Sequence, residues 1–154
     1  MIVSFDDFYI NDQNNLDRLF YLKGKYKHLK VNFFCVPKRS TWEWLSNFKL
    51  PWIGLYMHGW KHERGEEIQQ RMVTQWVENM GTKVYKSPWY DDKKEQLDLL
   101  HANGFKLVTY PVKVDHPITQ VILGKNDFRG HVWKDEDWDK LSDICEHQKN
   151  FELI

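Results

Sequence analysis

The sequence predicts an α/β fold with mainly parallel strands, arranged as an open doubly wound sheet or as a closed barrel. Short β-prone runs alternate with amphipathic helical segments along the whole chain, and the connections between them are short. The 154 residues fit one domain, and no change in composition divides residues 1–154 into two parts.

Seven runs rich in β-branched or aromatic residues, mostly bounded by Gly, Pro, Asn or Asp, predict strands. They are Ile2–Phe5, Val31–Val36, Trp52–Met57, Lys83–Tyr85, Lys106–Tyr110, Thr119–Leu123 and Arg129–Trp133. The stretch Pro111–Phe128 is poor in helix formers, and we expect loops and a tight strand pair there.

Five segments predict helices between these strands: Asn14–Lys23, Thr41–Asn47, Gly65–Met80, Lys93–Asn103 and Glu136–Gln148. In the third, apolar residues recur every four positions from Ile68 to Met80 and form one face. Gly81 and Gly104 follow two of the segments, where a helix C-terminus favours a residue that tolerates positive φ.

Charge and targeting signals argue against two classes of partner. Lys and Arg total 22, as do Asp and Glu, so the net charge gives no reason to expect nucleic acid or an anionic membrane surface. The sequence has no signal-peptide pattern and no apolar span, which favours a cytoplasmic protein.

Cys35 and Cys145 are too far apart for a CxxC motif, and we expect them to be reduced core residues.

Titratable residues follow several of the predicted strands. Asp6 and Asp7 end the first strand, and His58 and His62 come directly after the third. Ligands of parallel α/β folds bind at the carboxyl ends of strands, and two imidazoles with one carboxylate suit a catalytic divalent metal. The plainer alternative for the aspartates is a solvated turn or a helix cap. In a strand, neighbouring side chains alternate, so one carboxylate would bind metal while the other accepts a proton.

Aromatic residues are abundant, with 8 Trp, 7 Tyr and 9 Phe. Most of these rings are expected to fill the core of a small domain. A sugar-stacking role is worth considering only beside the candidate site, for Trp60, Trp89, Tyr90 and Trp133.

The order of these motifs resembles that of the polysaccharide deacetylase superfamily, which has NodB homology and includes carbohydrate esterase family 4. Ser4-Phe5-Asp6-Asp7 is similar to its first motif, Thr-Phe-Asp-Asp, and His58-Gly59-Trp60-Lys61-His62 to its second, His-Ser/Thr-x-x-His. The resemblance implies a distorted (β/α) barrel of about seven strands. It also implies that Asp6 is the general base and that Asp7, His58 and His62 are metal ligands, with Gly59 where a loop-bracing hydroxyl residue normally stands.

Three further motifs are matched more loosely. Lys86-Ser87-Pro88-Trp89 is similar to Arg-x-Pro-Tyr, which implies that Lys86 orients the base. Asp115 resembles the aspartate that pairs with that Arg, and His131 resembles the general acid, although the usual Leu-x-His form is missing. The plainer alternatives are a surface lysine, a turn-capping aspartate and a buried core histidine.

The resemblance implies a hydrolase that uses one divalent metal ion, Zn before Co, Ni or Fe, to remove the acetyl group of an N-acetylated carbohydrate or a small amide. Trp89, Tyr90 and Trp60 would bind the substrate. Two alternatives stay open: a metal- or carbohydrate-binding protein impaired in turnover by its departures at Lys86, Gly59 and the fifth motif, and a hydrolase of another acyl bond. The sequence does not predict an oligomeric state.

Overall fold

A computed structural model describes residues 1–10 and 13–154, and within these ranges it contains all seven predicted strands. They are β1 (Val3–Phe8), β2 (Val31–Cys35), β3 (Ile53–Met57), β4 (Val84–Tyr85), β5 (Lys106–Thr109), β6 (Thr119–Ile122) and β7 (Phe128–His131). The five predicted helices are also present, as α1 (Gln13–Lys25), α2 (Trp42–Ser46), α3 (Gln70–Met80), α4 (Lys94–Ala102) and α5 (Asp135–His147). None of the helices in the described ranges is long and apolar enough to cross a membrane.

The strands form one sheet in the order β6-β5-β4-β3-β2-β1-β7, and every neighbouring pair is parallel. The sheet curls into a distorted half-barrel with β6 and β7 at its two edges, which confirms the predicted fold. Parallel strands place all their carboxyl ends at one rim of the curl, and the candidate residues lie at that rim.

Both faces of the central strands β2 and β3 are buried, as is usual for parallel strands covered by helices. The larger apolar cluster lies between the sheet and the helices, where Phe5 stacks on Trp138 of α5 with ring centres 4.3 Å apart. A smaller cluster around Phe34 and Tyr56 fills the inside of the curl. Neighbouring residues of β2 therefore serve the two clusters in turn, with Phe33 outside and Phe34 inside.

Two local predictions are wrong. The stretch Pro111–Phe128 contains no tight strand pair among its described residues, because β6 pairs in parallel with β5, which precedes the stretch. Helix α3 begins at Gln70 rather than Gly65, since Gly65 has a left-handed φ of 72° and Glu66 is engaged with the loop before it. The end of α3 is as predicted, with Gly81 at φ 77° in the C-cap.

Candidate active site

A cavity of about 440 Å³ opens at the carboxyl ends of the strands, which is the size of a pocket for a small ligand. Its lining comes from β1, β7 and the segments that follow β3, β4 and β7. The lining residues are Asp6, Asp7, His58, His62, Lys86, Ser87, Trp89, Tyr90, Arg129, Gly130, His131 and Trp133.

A bulge in β1 brings both aspartates to this cavity. The pairing of β1 with β2 shifts between Phe5 and Phe8, and Asp7 adopts a left-handed φ of 61°. The expected simple alternation of Asp6 and Asp7 is therefore wrong, because the bulge re-aims one side chain and both carboxylates line the same cavity. A left-handed aspartate is a strained arrangement of the kind that clusters at functional sites.

Asp7, His58 and His62 form the one group of potential metal ligands found in the described part of the chain. Asp7 Oδ1 lies 3.0 Å from His62 Nε2 and 3.6 Å from His58 Nε2. Ligands held about 2.0–2.2 Å from a tetrahedral Zn²⁺ are roughly 3.4 Å apart, which is close to both distances. All three ligand atoms lie within 4.8 Å of one another. Asp7 Oδ1 is buried and has no hydrogen-bond partner in the described ranges, as expected of an atom reserved for a metal.

Hydrogen bonds to other atoms orient these ligands. His58 Nδ1 lies 2.9 Å from the Lys86 carbonyl, which can only accept, so the proton is on Nδ1 and Nε2 keeps a lone pair for a metal. The Trp133 indole donates to Asp7 Oδ2 at 3.1 Å and leaves Oδ1 toward the histidines. Such fixed tautomers and orientations are characteristic of metal sites.

Two of the three ligands, Asp7 and His62, shift each other's pKa. Burial alone would raise the pKa of the Asp7 carboxyl, but the nearby His58 and His62 rings and the Trp133 N–H stabilise the anion more and hold the pKa well below its usual range. The Asp7 carboxylate raises the pKa of His62, against the opposing effect of burial. Asp7 is thus anionic, and the two imidazole rings lie beside its negative charge. This negative charge would attract a metal cation.

Glu66 braces the loop that carries both histidines. Its carboxylate accepts hydrogen bonds from the backbone N–H groups of Trp60, Lys61 and His62, at 3.0, 2.8 and 3.2 Å. Gly59 has a φ of 62°, and a Cβ there would collide with Glu66 Oε1 and with the Pro88 side chain. Position 59 has no hydroxyl side chain to brace the loop. The Glu66 carboxylate braces it instead, and it fits only because Gly59 has no Cβ.

Lys86 holds Asp6 by both carboxylate oxygens. Its ammonium lies 2.7 Å from Asp6 Oδ1 and 2.7 Å from Oδ2, and its side chain is 2% exposed. The ammonium also lies 4.9 Å from the centre of the Phe34 ring and 5.1 Å from that of Tyr90. These rings stabilise the buried cation by cation–π attraction, so Lys86 is not the surface lysine of the plainer alternative.

His131 lies next to Asp6 on the neighbouring strand, since the two residues are paired in the register of β1 and β7. Its side chain is 45% exposed toward the cavity, which excludes the alternative of a buried core histidine. The buried Asp137 accepts a hydrogen bond from the His131 backbone N–H at 2.9 Å, and its Oδ2 lies 3.8 Å from His131 Nδ1. The sequence does not single out Asp137, because an acidic residue in the first turn of a helix already suits the helix dipole.

Two of the predicted substrate-binding rings line the cavity and one does not. Trp89 is 47% exposed and its ring centre lies 4.6 Å from that of His62, while Tyr90 faces Lys86. Both have left-handed φ values, 54° and 55°. Trp60 is buried in the core with its ring centre 6.0 Å from that of Trp42, so the placement of Trp60 at the cavity is wrong.

Asp115 also lies away from the cavity. It is exposed beside His116 in a separate surface depression, and the carboxylate that pairs with Lys86 is Asp6. The expected pairing of Asp115 with Lys86 is therefore wrong. Asp115 belongs to the loop that leads into β6, and it lines a depression beside helix α4.

Comparisons with known proteins agree with this architecture. A family 4 carbohydrate esterase from Streptomyces lividans, solved in complex with acetate, superposes with a TM-score of 0.69 at 10% identity over 95% of this chain and 85% of that one. The chain has the fold of the family 4 carbohydrate esterases. The resemblance predicted from the motifs is thereby confirmed at the level of the fold.

Two other solved structures are similar in the same way. The peptidoglycan deacetylase PdaC from Bacillus subtilis has a TM-score of 0.64 at 12% identity, covering 99% of this chain and 85% of that one. A family 4 acetyl xylan esterase from Clostridium thermocellum, in complex with a cobalt ion, has a TM-score of 0.54 at 14% identity, covering 98% and 86%. No protein-family model matches the sequence, and neither does any curated protein.

Proposed function

We propose that the protein is a metal-dependent deacetylase that hydrolyses the amide of an N-acetylated sugar, or a related small amide, to acetate and a free amine. One observation carries the proposal: a candidate metal triad, an aspartate held by a lysine and an exposed histidine line a single cavity. The named activities of the structural neighbours, acetyl xylan esterase and peptidoglycan deacetylase, agree with it.

Asp7, His58 and His62 would hold one divalent ion, with Zn²⁺ the best match to two imidazoles and one carboxylate and Co²⁺, Ni²⁺ or Fe²⁺ as alternatives. When bound, the ion supplies Lewis acidity toward the amide carbonyl and toward water. Three protein ligands leave coordination positions open, which is the arrangement of catalytic rather than structural zinc.

Asp6 would accept the proton of the attacking water. Lys86 uses one direction of each carboxylate oxygen, and each oxygen keeps a further lone pair with which to accept a proton. The ammonium fixes the orientation of the carboxylate, which is the task that the resemblance assigns to this position.

His131 would donate a proton to the departing nitrogen from the neighbouring strand. Asp137 holds its backbone and lies near Nδ1, so that Nε2 is the nitrogen free to act. A base and an acid on adjacent strands, beside a common metal triad, supply both proton transfers that amide hydrolysis requires.

Two contacts argue for turnover over the impaired-enzyme alternative. That alternative depended on Lys86, Gly59 and the altered fifth motif. Lys86 contacts the base through both oxygens, Glu66 supports the loop at Gly59, and His131 of the fifth motif lines the same cavity. Trp89 and Tyr90 at the cavity mouth offer apolar faces of the kind that pack against sugar rings.

The experiment is acetate release from chitooligosaccharides, peptidoglycan fragments and small N-acetyl sugars, before and after treatment with EDTA and then with Zn²⁺ or Co²⁺. We expect activity that EDTA abolishes and metal restores. If the metal-loaded protein releases acetate from none of these substrates, the proposal is contradicted.

A further inference from the structure

Arg129 is a cation of the cavity without a carboxylate partner in the described residues. It is exposed on the edge strand β7, two residues before His131. Its guanidinium carbon lies 3.3 Å from the centre of the Tyr110 ring, which follows β5 near the opposite edge of the sheet. The arginine therefore reaches across the open side of the half-barrel and lies flat on an aromatic ring.

Each of the other charged side chains described above has a partner in the cavity. The Lys86 ammonium is neutralised by Asp6, and the Asp7 carboxylate faces His58 and His62 in the candidate metal triad. A divalent ion there exceeds the charge of its one carboxylate ligand, so the metal-loaded cavity is positive even before Arg129 is counted. Arg129 adds to this positive charge, which favours an anionic ligand.

Stacking prepares the guanidinium for recognition of a planar or tetrahedral anion. A guanidinium that lies flat on a ring keeps its N–H groups at the edge, where two of them can bind one carboxylate or phosphate. The Tyr90 ring, whose buried hydroxyl has no hydrogen-bond partner in the described ranges, lies near the same tyrosine, with its centre 6.4 Å from that of Tyr110.

We infer that the substrate carries an anionic group, a carboxylate or a phosphate, close to its N-acyl group, and that Arg129 binds it. This inference rests on the proposed deacetylase function and adds the substrate class to it. A neutral N-acetylated oligosaccharide would leave Arg129 without an ionic partner in the complex.

The test compares ligands that differ in charge at nearly constant bulk. N-acetylmuramic acid is compared with its methyl ester, and N-acetylglucosamine 6-phosphate with N-acetylglucosamine. For the metal-loaded protein, kcat/KM for acetate release is measured, together with the dissociation constant by calorimetry on the Asp6→Asn variant. We expect at least one anionic ligand to be favoured over its neutral counterpart by about tenfold or more in both quantities.

Variants of the arginine assign the preference. Arg129→Gln should remove it, Arg129→Lys should retain part of it, and Arg71→Gln, which removes the same charge from exposed helix α3, should leave it unchanged. The inference is overturned if the unmodified protein has the same kcat/KM and the same dissociation constant for charged and neutral ligands. It is also overturned if the preference for the anionic ligand persists in Arg129→Gln. Absence of acetate release with the binding preference intact would instead count against the proposed function alone. If Arg129→Gln does not fold, Arg129→Lys decides, because a preference that this variant leaves undiminished overturns the inference.

Discussion

Adjacent residues in the sequence do different work because the backbone between them departs from a regular strand. Asp6 keeps its place in the register opposite His131, while Asp7 takes a left-handed conformation and meets His58 and His62. The sequence predicts that one aspartate is the base and the other a metal ligand. That prediction rests on the alternation of side chains along a regular strand. The bulge achieves this division differently, by turning both carboxylates into one cavity with different partners.

The division of roles predicts the behaviour of Asp6→Asn. The amide cannot accept a proton, so kcat should fall by about 10²- to 10⁴-fold, the usual contribution of a general base. The metal content, measured by elemental analysis, should stay at the level of the unmodified protein because Asp7 and the histidines are unchanged. Asp7→Asn is the comparison variant, and it should lose metal. Loss of metal in Asp6→Asn would show that Asp6 is a ligand rather than a base.

The environment of Lys86 predicts that arginine does not improve this position. The ammonium is enclosed by Phe34, Tyr90 and Asp6, and the side chain is almost fully buried. A guanidinium is larger and planar, so Lys86→Arg should overpack the site and lower the free energy of unfolding by about 1–3 kcal/mol. Chemical denaturation measures the loss, and activity should fall with it. Lys83→Arg at an exposed position is the control and should be neutral. Higher activity in Lys86→Arg would mean that the lysine is a defect rather than a fitted alternative.

At the scale of elements, the loop between β3 and α3 depends on a residue that the sequence pattern hides. The helical period extends back to Ile68, so Glu66 looks like the exposed first turn of a helix. In the structure the helix begins at Gln70, and Glu66 turns back to bind three N–H groups of the histidine loop. A hydrophobic period cannot reveal this, because it does not record hydrogen bonds from a side chain to the backbone of the loop just before it.

Glu66→Gln should therefore weaken metal binding although Glu66 is not a ligand. The amide has one accepting oxygen in place of two and no charge, so the loop loses strong hydrogen bonds. We expect the dissociation constant for Zn²⁺, measured by competition with a chelator, to rise by about 10- to 100-fold, as for other residues that support metal ligands. Glu67→Gln, at the neighbouring exposed residue, is the matched control. Equal affinities in the two variants would rule out the bracing role.

At the scale of the whole molecule, the sequence predicts most of the architecture but less of the long-range contacts. Apolar runs and turn residues are local signals, and all seven strands and five helices follow from them. The positions of Trp60 and Asp115 depend on the paths of loops, which local signals do not predict. Both residues were expected at the cavity, and in the structure both lie away from it. Glu66 and Asp137 were missed for a different reason: each accepts hydrogen bonds from backbone N–H groups four to six residues earlier, and a hydrophobic period does not record such bonds.

The origin of the metal ligands in different elements makes metal binding a property of the whole fold. Asp7 lies on β1, and both histidines follow β3, so the three atoms meet only when the sheet has assembled. An ion that binds the folded state alone should stabilise it by about 2.7 kcal/mol when its free concentration is a hundred times the dissociation constant. Thermal unfolding with and without Zn²⁺ measures this as a rise in Tm. His62→Ala should abolish the rise, whereas His28→Ala, at an exposed histidine outside the cavity, should retain it. An equal rise in both variants would place the ion elsewhere and would remove the basis for hydrolysis at Asp7, His58 and His62.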